Sequence, residues 1–242
     1  MIVNCLICLL IVIIIIYVIT NIFLYKKFNK ERFIANQAKY KKYQLGDIVN
    51  GYIYNKKYTI FKNYPELYPN TLAAKYVENV KNEEKKTKNF DVLYKIIDIK
   101  NKKKNGINVH LRIGDVIKSF NNGKYVFHVS PKKKYIYGVQ PIVYDKLIKK
   151  IKEQTSNRDV KLFYGSHNYF NKFTTKYIND VKKIFKNNGF NVTKSKSFNP
   201  DTDFIEMCNS KIFVQSVGGF SNAISNIVNM NKGKVLFIKD FV

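Results

Sequence analysis

The residues best suited to chemistry lie in short stretches that follow β-rich segments. His110-Leu111-Arg112-Ile113-Gly114-Asp115 ends the first of these. Arginine presents a planar fork of N–H donors that matches a diphosphate. Gly114 lets a backbone come close to a ligand. Asp115 is placed to orient Arg112, and His110 to donate a hydrogen bond. A strand ending in a Gly-Asp turn beside a satisfied histidine explains the same residues without a ligand. Ser216-Val217-Gly218-Gly219-Phe220-Ser221 leaves a strand and opens a helix, where backbone N–H groups and the helix dipole favour an anion. Ser216 and Ser221 add hydroxyls. The stretch is neither a Walker A loop nor GxGxxG, and a tight connection that needs glycine is its plainer explanation. Gly165-Ser166-His167 also follows a strand and can touch a ribose or phosphate, or be a solvated turn. Asp201-Thr202-Asp203 has the D-x-D form that holds a divalent metal on nucleotide-sugars elsewhere. Here it starts a helix, with Asn199 as cap and Pro200 in the first turn, so complementing the helix dipole accounts for it better.

The elements that position these loops are legible from periodicity. Strands are expected at 107–112, 160–164, 190–192, 212–214 and 235–238. Helical faces are carried by Tyr144, Leu147, Ile148 and Ile151, by Phe173, Tyr177, Val181, Ile184 and Phe185, and by Phe220, Ala223, Ile224, Ile227 and Val228. Asn188-Gly189 reads as a helix stop. Strands alternating with helices imply an α/β fold with a Rossmann-like parallel sheet. Ligands of such sheets bind beyond the carboxyl ends of the strands, the edge at which three of these loops lie.

The remaining chain divides by composition. Residues 2–25 are almost uninterrupted Ile, Leu and Val. As a helix they would span about 36 Å, against roughly 30 Å of bilayer hydrocarbon. No basic residue precedes them and no small-residue cleavage site follows, so an uncleaved transmembrane anchor is preferred to a signal peptide. The chain then reads as a single-pass membrane protein. Lys26, Lys27, Lys30 and Arg32 follow directly, which by the positive-inside rule leaves the C-terminal part in the cytosol. A lumenal enzyme of a Golgi, ER or host endomembrane needs the opposite topology. Residues 26–45 form a basic stem, 46–105 a small N-terminal lobe with a helical pattern at 72–80, and 106–242 the Rossmann-like lobe.

Formal net charge is +26 over 242 residues, with 45% hydrophobic and 15% aromatic residues, so a packed core can form. Lysine is abundant and arginine scarce. Most of the charge reads as compositional lysine on solvated faces, which argues against nucleic acid as a partner and makes Arg112 more conspicuous. Three cysteines, two of them in the apolar run, make no disulfide framework, and no two of the three histidines have metal-ligand spacing.

His110-x-Arg112-x-Gly114-Asp115 resembles the H-x-R-R-G-D signature of the α1,2-fucosyltransferases and related O- and α1,6-fucosyltransferases, with Ile113 where the second arginine stands. The stretch from Asp203 through Cys208 to Ser216 and Phe220-Ser221 is similar to that superfamily's acidic residue, helix, strand and serine loop. Gly165-Ser166-His167 occupies the place of its nucleotide loop. The resemblance covers 107–230. It implies a GT-B fold, with the N-terminal lobe reduced here, and a glycosyltransferase that inverts the anomeric carbon. The donor implied is GDP-fucose or a related GDP-sugar, the acceptor a glycan or protein hydroxyl, with no cofactor and no obligatory metal. Arg112 would neutralise the leaving β-phosphate, with His110 and Asp115 beside it. Gly114, Ser166, His167, Ser216, Gly218, Gly219 and Ser221 would seat the nucleotide-sugar, and Asp203 the nucleoside. Asp47, Glu66 and Asp115 are candidate bases. The alternative class is a membrane-tethered, non-catalytic basic module binding polyanions, nucleic acid or anionic lipid, or a degenerate transferase.

Overall fold

In the computed structural model the described residues are 71–80, 90–100, 102, 104–113, 116–129, 136–164, 172–195 and 200–242. All fall within one compact unit, Gln44–Val242. Residues 2–45, the expected anchor and stem, lie outside them, as do Gly114, Asp115, Ser166 and His167. Among the described residues no helix is long and apolar enough to cross a membrane.

Five strands form one parallel sheet: β1 (Asn105–Leu111), β4 (Asp159–Tyr164), β5 (Asn191–Lys194), β6 (Ser210–Gln215) and β7 (Lys234–Phe237), in the order β5-β4-β1-β6-β7. The chain builds outward from β1 through β4 to β5. It then crosses back to place β6 on the other side of β1, with β7 beyond. This is the doubly wound arrangement expected from alternating strands and helices. Register is set by alternation along β1. Ile107, Val109 and Leu111 point to one face and Asn108 and His110 to the other, and Val109 lies between Leu162 and Val214.

The apolar face of β1 is covered by α3 (Val143–Gln154) and α4 (Lys172–Asn187). Tyr144, Leu147, Ile148 and Ile151 from α3 and Tyr177, Ile178, Val181 and Phe185 from α4 join Ile107, Val109, Leu111, Val160, Leu162, Ile212 and Val214 in one core. Burying each such side chain stabilises the fold by roughly 1.5–3 kcal/mol before entropy is counted. The second face carries α5 (Pro200–Cys208) and α6 (Gly219–Met230), with α2 (Phe90–Ile97) against α6 and α1 (Leu72–Val80) against α2. These two helices are the described part of the expected N-terminal lobe. They are held to the sheet unit by Tyr94 Oη donating to Asn231 Oδ1 at 3.3 Å and by the Leu72 backbone N–H donating to Asp201 Oδ2 at 2.9 Å.

One element was not expected from the sequence. β2 (Ile117–Asn121) and β3 (Lys124–Phe127) form an antiparallel hairpin between β1 and α3. Asn122 and Gly123 both have positive φ, 48° and 74°. That is the two-residue turn Asn-Gly favours, and it was the local signal available. The hairpin packs onto α4. Tyr125 Oη donates to Asp180 Oδ2 at 2.6 Å, its ring meets Tyr177 edge-on at 5.0 Å, and Lys176 Nζ lies 4.4 Å from the Phe120 ring centre. Gln140 completes the attachment, exchanging two hydrogen bonds with the Tyr125 backbone.

Candidate functional site

The strand order reverses beside β1, so the crevice expected to receive a ligand lies between the carboxyl ends of β1 and β6. Two of the stretches read as chemical in the sequence, that of His110 and that of Ser216, meet there. His110, one residue before the end of β1, faces away from the apolar core. Ser216 is the first residue after β6. Their side chains are in contact, His110 Nδ1 and Ser216 Oγ lying 2.6 Å apart. Both residues are buried, at 9% and 4% exposure. A hydrogen bond thus joins the end of β1 to the residue after β6, 106 positions apart in sequence.

This contact has a chemical consequence. The direction of this bond is tied to the tautomer of the ring and so to what Nε2 presents. If Ser216 donates, Nε2 carries the proton and is a donor; if Nδ1 donates, Nε2 is an acceptor. The ring's plane is held further by Phe220, 5.7 Å away and tilted, itself packed edge-on against Phe204 at 5.4 Å.

The serine-glycine loop is braced from inside. The Ser216 backbone N–H donates to Ser221 Oγ at 3.0 Å, and Ser225 Oγ donates to the Ser221 carbonyl at 2.9 Å. Ser221 is fully buried. The visible task of its hydroxyl is therefore to hold the loop's shape; Ser216's is to hold His110. What the loop can offer an anion is its backbone. Gly218 sits at φ 123°, ψ 160°, a conformation largely confined to glycine, and Gly219 opens α6. The first turn of a helix has N–H groups without intrahelical acceptors, at the positive end of its dipole. Arg112, half-buried, leaves β1 two residues after His110 at the same edge.

Asp203 stands apart from that group. It belongs to α5, is 8% exposed, and its Oδ1 accepts from Ser195 Oγ at 2.6 Å. Burial pushes its carboxyl above the ordinary range; the Ser195 hydroxyl pulls it back, Glu206 adds to the rise and Lys161 opposes it. Burial and then Asp203 also raise the Tyr164 phenol at the end of β4. Asp201, the other acid of the D-x-D, takes the N–H of Leu72. Both carboxylates therefore have a partner within the fold, at the start of a helix where acids complement the dipole. Among the described residues no three His, Cys, Asp or Glu side chains gather as a metal centre would need.

The raised Asp203 carboxyl has a consequence for stability. The folded chain holds that proton more tightly than the unfolded chain. Stability contributed at this position therefore falls as pH rises from the ordinary carboxylate value, near ~4, through the raised one. Asp203→Asn keeps an acceptor for Ser195 and removes the titration. The variant's melting temperature is expected to decline less than wild type between about pH 4 and 7. Parallel pH profiles of the two proteins would show Asp203 to be held in its ionised form.

Two polar groups, buried Asn108 and half-buried Lys161, tie α5 to the strands. Asn108 Nδ2 donates to the Glu206 carbonyl at 3.2 Å and to Ser210 Oγ at 2.9 Å, fixing α5 and β6 to β1. Lys161 on β4 pairs with both oxygens of Glu206, at 2.6 and 2.7 Å. Neither is legible in local sequence pattern, because each contact spans tens of residues.

No protein family matches the sequence, and no curated protein matches it. Among solved structures, a crystal structure of POFUT1 in complex with GDP is similar at 13% identity and a TM-score of 0.35. The match covers 81% of this chain and 62% of that one, so the chain spans less than two thirds of the length of that neighbour. A likeness this distant carries no argument about activity, and the functional reading rests on the residues gathered at the ends of β1 and β6.

Proposed function

We propose that this chain is a glycosyltransferase of the fucosyltransferase type that takes a GDP-sugar, GDP-fucose or a relative, in the crevice between β1 and β6. The observation that carries the reading is the 2.6 Å contact of His110 with Ser216. It brings the histidine-arginine stretch and the serine-glycine stretch to one point of the sheet, where a nucleotide is commonly bound. The pyrophosphate would meet the Gly218-Gly219 backbone and the start of α6, with Arg112 on its β-phosphate. Gly114, Ser166 and His167 would complete the donor seat, and Asp203 would approach the nucleoside from α5.

In the reaction, an acceptor hydroxyl oxygen of a glycan or protein forms a bond to the anomeric carbon. The bond from that carbon to the β-phosphate oxygen breaks, with inversion. The electron pair leaves with GDP, and the hydroxyl proton passes to a base. Asp115, Asp47 and Glu66 are the candidates, all outside the described residues. Charge grows on the departing phosphate, so a fixed guanidinium there acts mainly in the transition state. Arg112 in that role makes a divalent cation dispensable.

The test is release of GDP from GDP-fucose by the full chain, with and without glycan and peptide acceptors, in the presence of EDTA. Acceptor-dependent release unaffected by EDTA is the expected result. Release that vanishes with EDTA and returns with a divalent ion would overturn the metal-independent mechanism. No release with any GDP-sugar would overturn the enzymatic reading.

A further inference from the structure

The two helical layers differ in charge. α3 and α4, side by side over the apolar face of the sheet, contain nine lysines and three acids. The opposite layer, α1, α2, α5 and α6, contains two lysines and five acids in a longer stretch of helix. One genome supplies the lysine for both layers, so a general drift toward lysine does not explain the segregation. Lys146, Lys149, Lys150, Lys152, Lys176, Lys183 and Lys186 are all exposed. Only some are neutralised locally, as Lys150 is by Glu153 and Lys176 by Asp180.

We propose that the outer face of α3 and α4 docks this domain onto an anionic lipid bilayer. Three observations favour a bilayer over nucleic acid. The charge is lysine throughout, a mobile point charge suited to a diffuse headgroup field, without the forked arginine that reads phosphate and base edges. No aromatic ring is among the large apolar residues exposed in the described part of the chain, so the described part of the face offers no platform for stacking bases. Ile142, immediately before α3, is 67% exposed at the rim of this face, as an interfacial apolar anchor would be. The apolar run 2–25 and the basic residues after it lie in the same chain. The face is separate from the strand ends, so docking leaves the β1–β6 crevice accessible, and the inference stands whether or not a GDP-sugar binds there.

The experiment is lysine acylation of the full chain by a water-soluble reagent, read by mass spectrometry in the presence of lipid vesicles. Replacing about 30% of the phosphatidylcholine by phosphatidylserine should cut labelling of Lys146, Lys149, Lys183 and Lys186 at least about threefold. About 0.5 M salt should restore it. Lys75, Lys95, Lys211 and Lys234, exposed on other faces, should label equally in both vesicles. Replacing the first four by glutamate should abolish the phosphatidylserine dependence of the remaining lysines on α3 and α4, and the same change in the second four should leave it. Equal labelling in both vesicles, or equal protection of both sets, would overturn the proposal. Protection by a short DNA or RNA duplex but not by phosphatidylserine would overturn it in favour of nucleic acid.

Discussion

Arg112→Ala is expected to lower donor turnover by about 10²–10³-fold, the usual effect of removing one preorganised group that faces charge developing in a transition state. Arg112 follows β1 and is half-buried, so its charge acts in a medium less polar than water. The leaving group is a diphosphate, and a guanidinium can hold two of its oxygens at once. Arg112→Lys retains the charge but loses the fork, and should recover only part of the rate. A transition-state role predicts that the loss falls on kcat more than on KM, because the interaction strengthens as the bond breaks. Initial-rate kinetics of GDP release for the three proteins, with melting temperatures to show each is folded, is the check. A variant that keeps more than about half the wild-type rate would remove Arg112 from the chemistry.

Phe185→Ala is expected to have the largest effect on folding. Phe185 is fully buried between α4 and the sheet, 5.9 Å from the Tyr144 ring and 5.7 Å from the Phe190 ring. Removing a buried phenyl group costs about 3–5 kcal/mol, transfer and cavity together. A domain of this kind is stable by about 5–15 kcal/mol. The variant should therefore melt far below wild type or fail to fold, and Phe185→Leu should lose markedly less. Denaturant titrations of both variants would measure this; a loss below about 1 kcal/mol for alanine would mean that α4 is not packed as described.

Much of this architecture is legible in the sequence, for identifiable reasons. The parallel strands are short apolar runs between helical faces, and all five expected strands are found within a few residues of their expected ends. Asn188-Gly189 does end α4, with Gly189 at φ 83°. The parallel sheet follows from the alternation of elements, and with it the edge where a ligand would bind; the order of its strands does not. What local pattern does not encode is contact between distant residues. Nothing near His110 indicates that Ser216 completes its hydrogen bonding, or that the Ser221 hydroxyl turns inward to the Ser216 backbone. The D-x-D motif shows the same limit. Its place in a first turn was readable, but Asp201 binding the start of α1 was not. The lysine-rich and lysine-poor segments are already distinct in the sequence, but that the two lysine-rich helices lie together on one face of the sheet needs the fold.

The central claim is that the ends of β1 and β6 form a GDP-sugar site, and calorimetric titration of the full chain with GDP, UDP, ADP and CMP tests it most directly. The account predicts binding selective for GDP that is lost in Arg112→Ala and weakened in Ser216→Ala, which removes the hydroxyl from His110 Nδ1. Selective binding of another nucleotide would contradict the GDP assignment. No nucleotide binding by the folded protein at millimolar concentration would contradict the site itself.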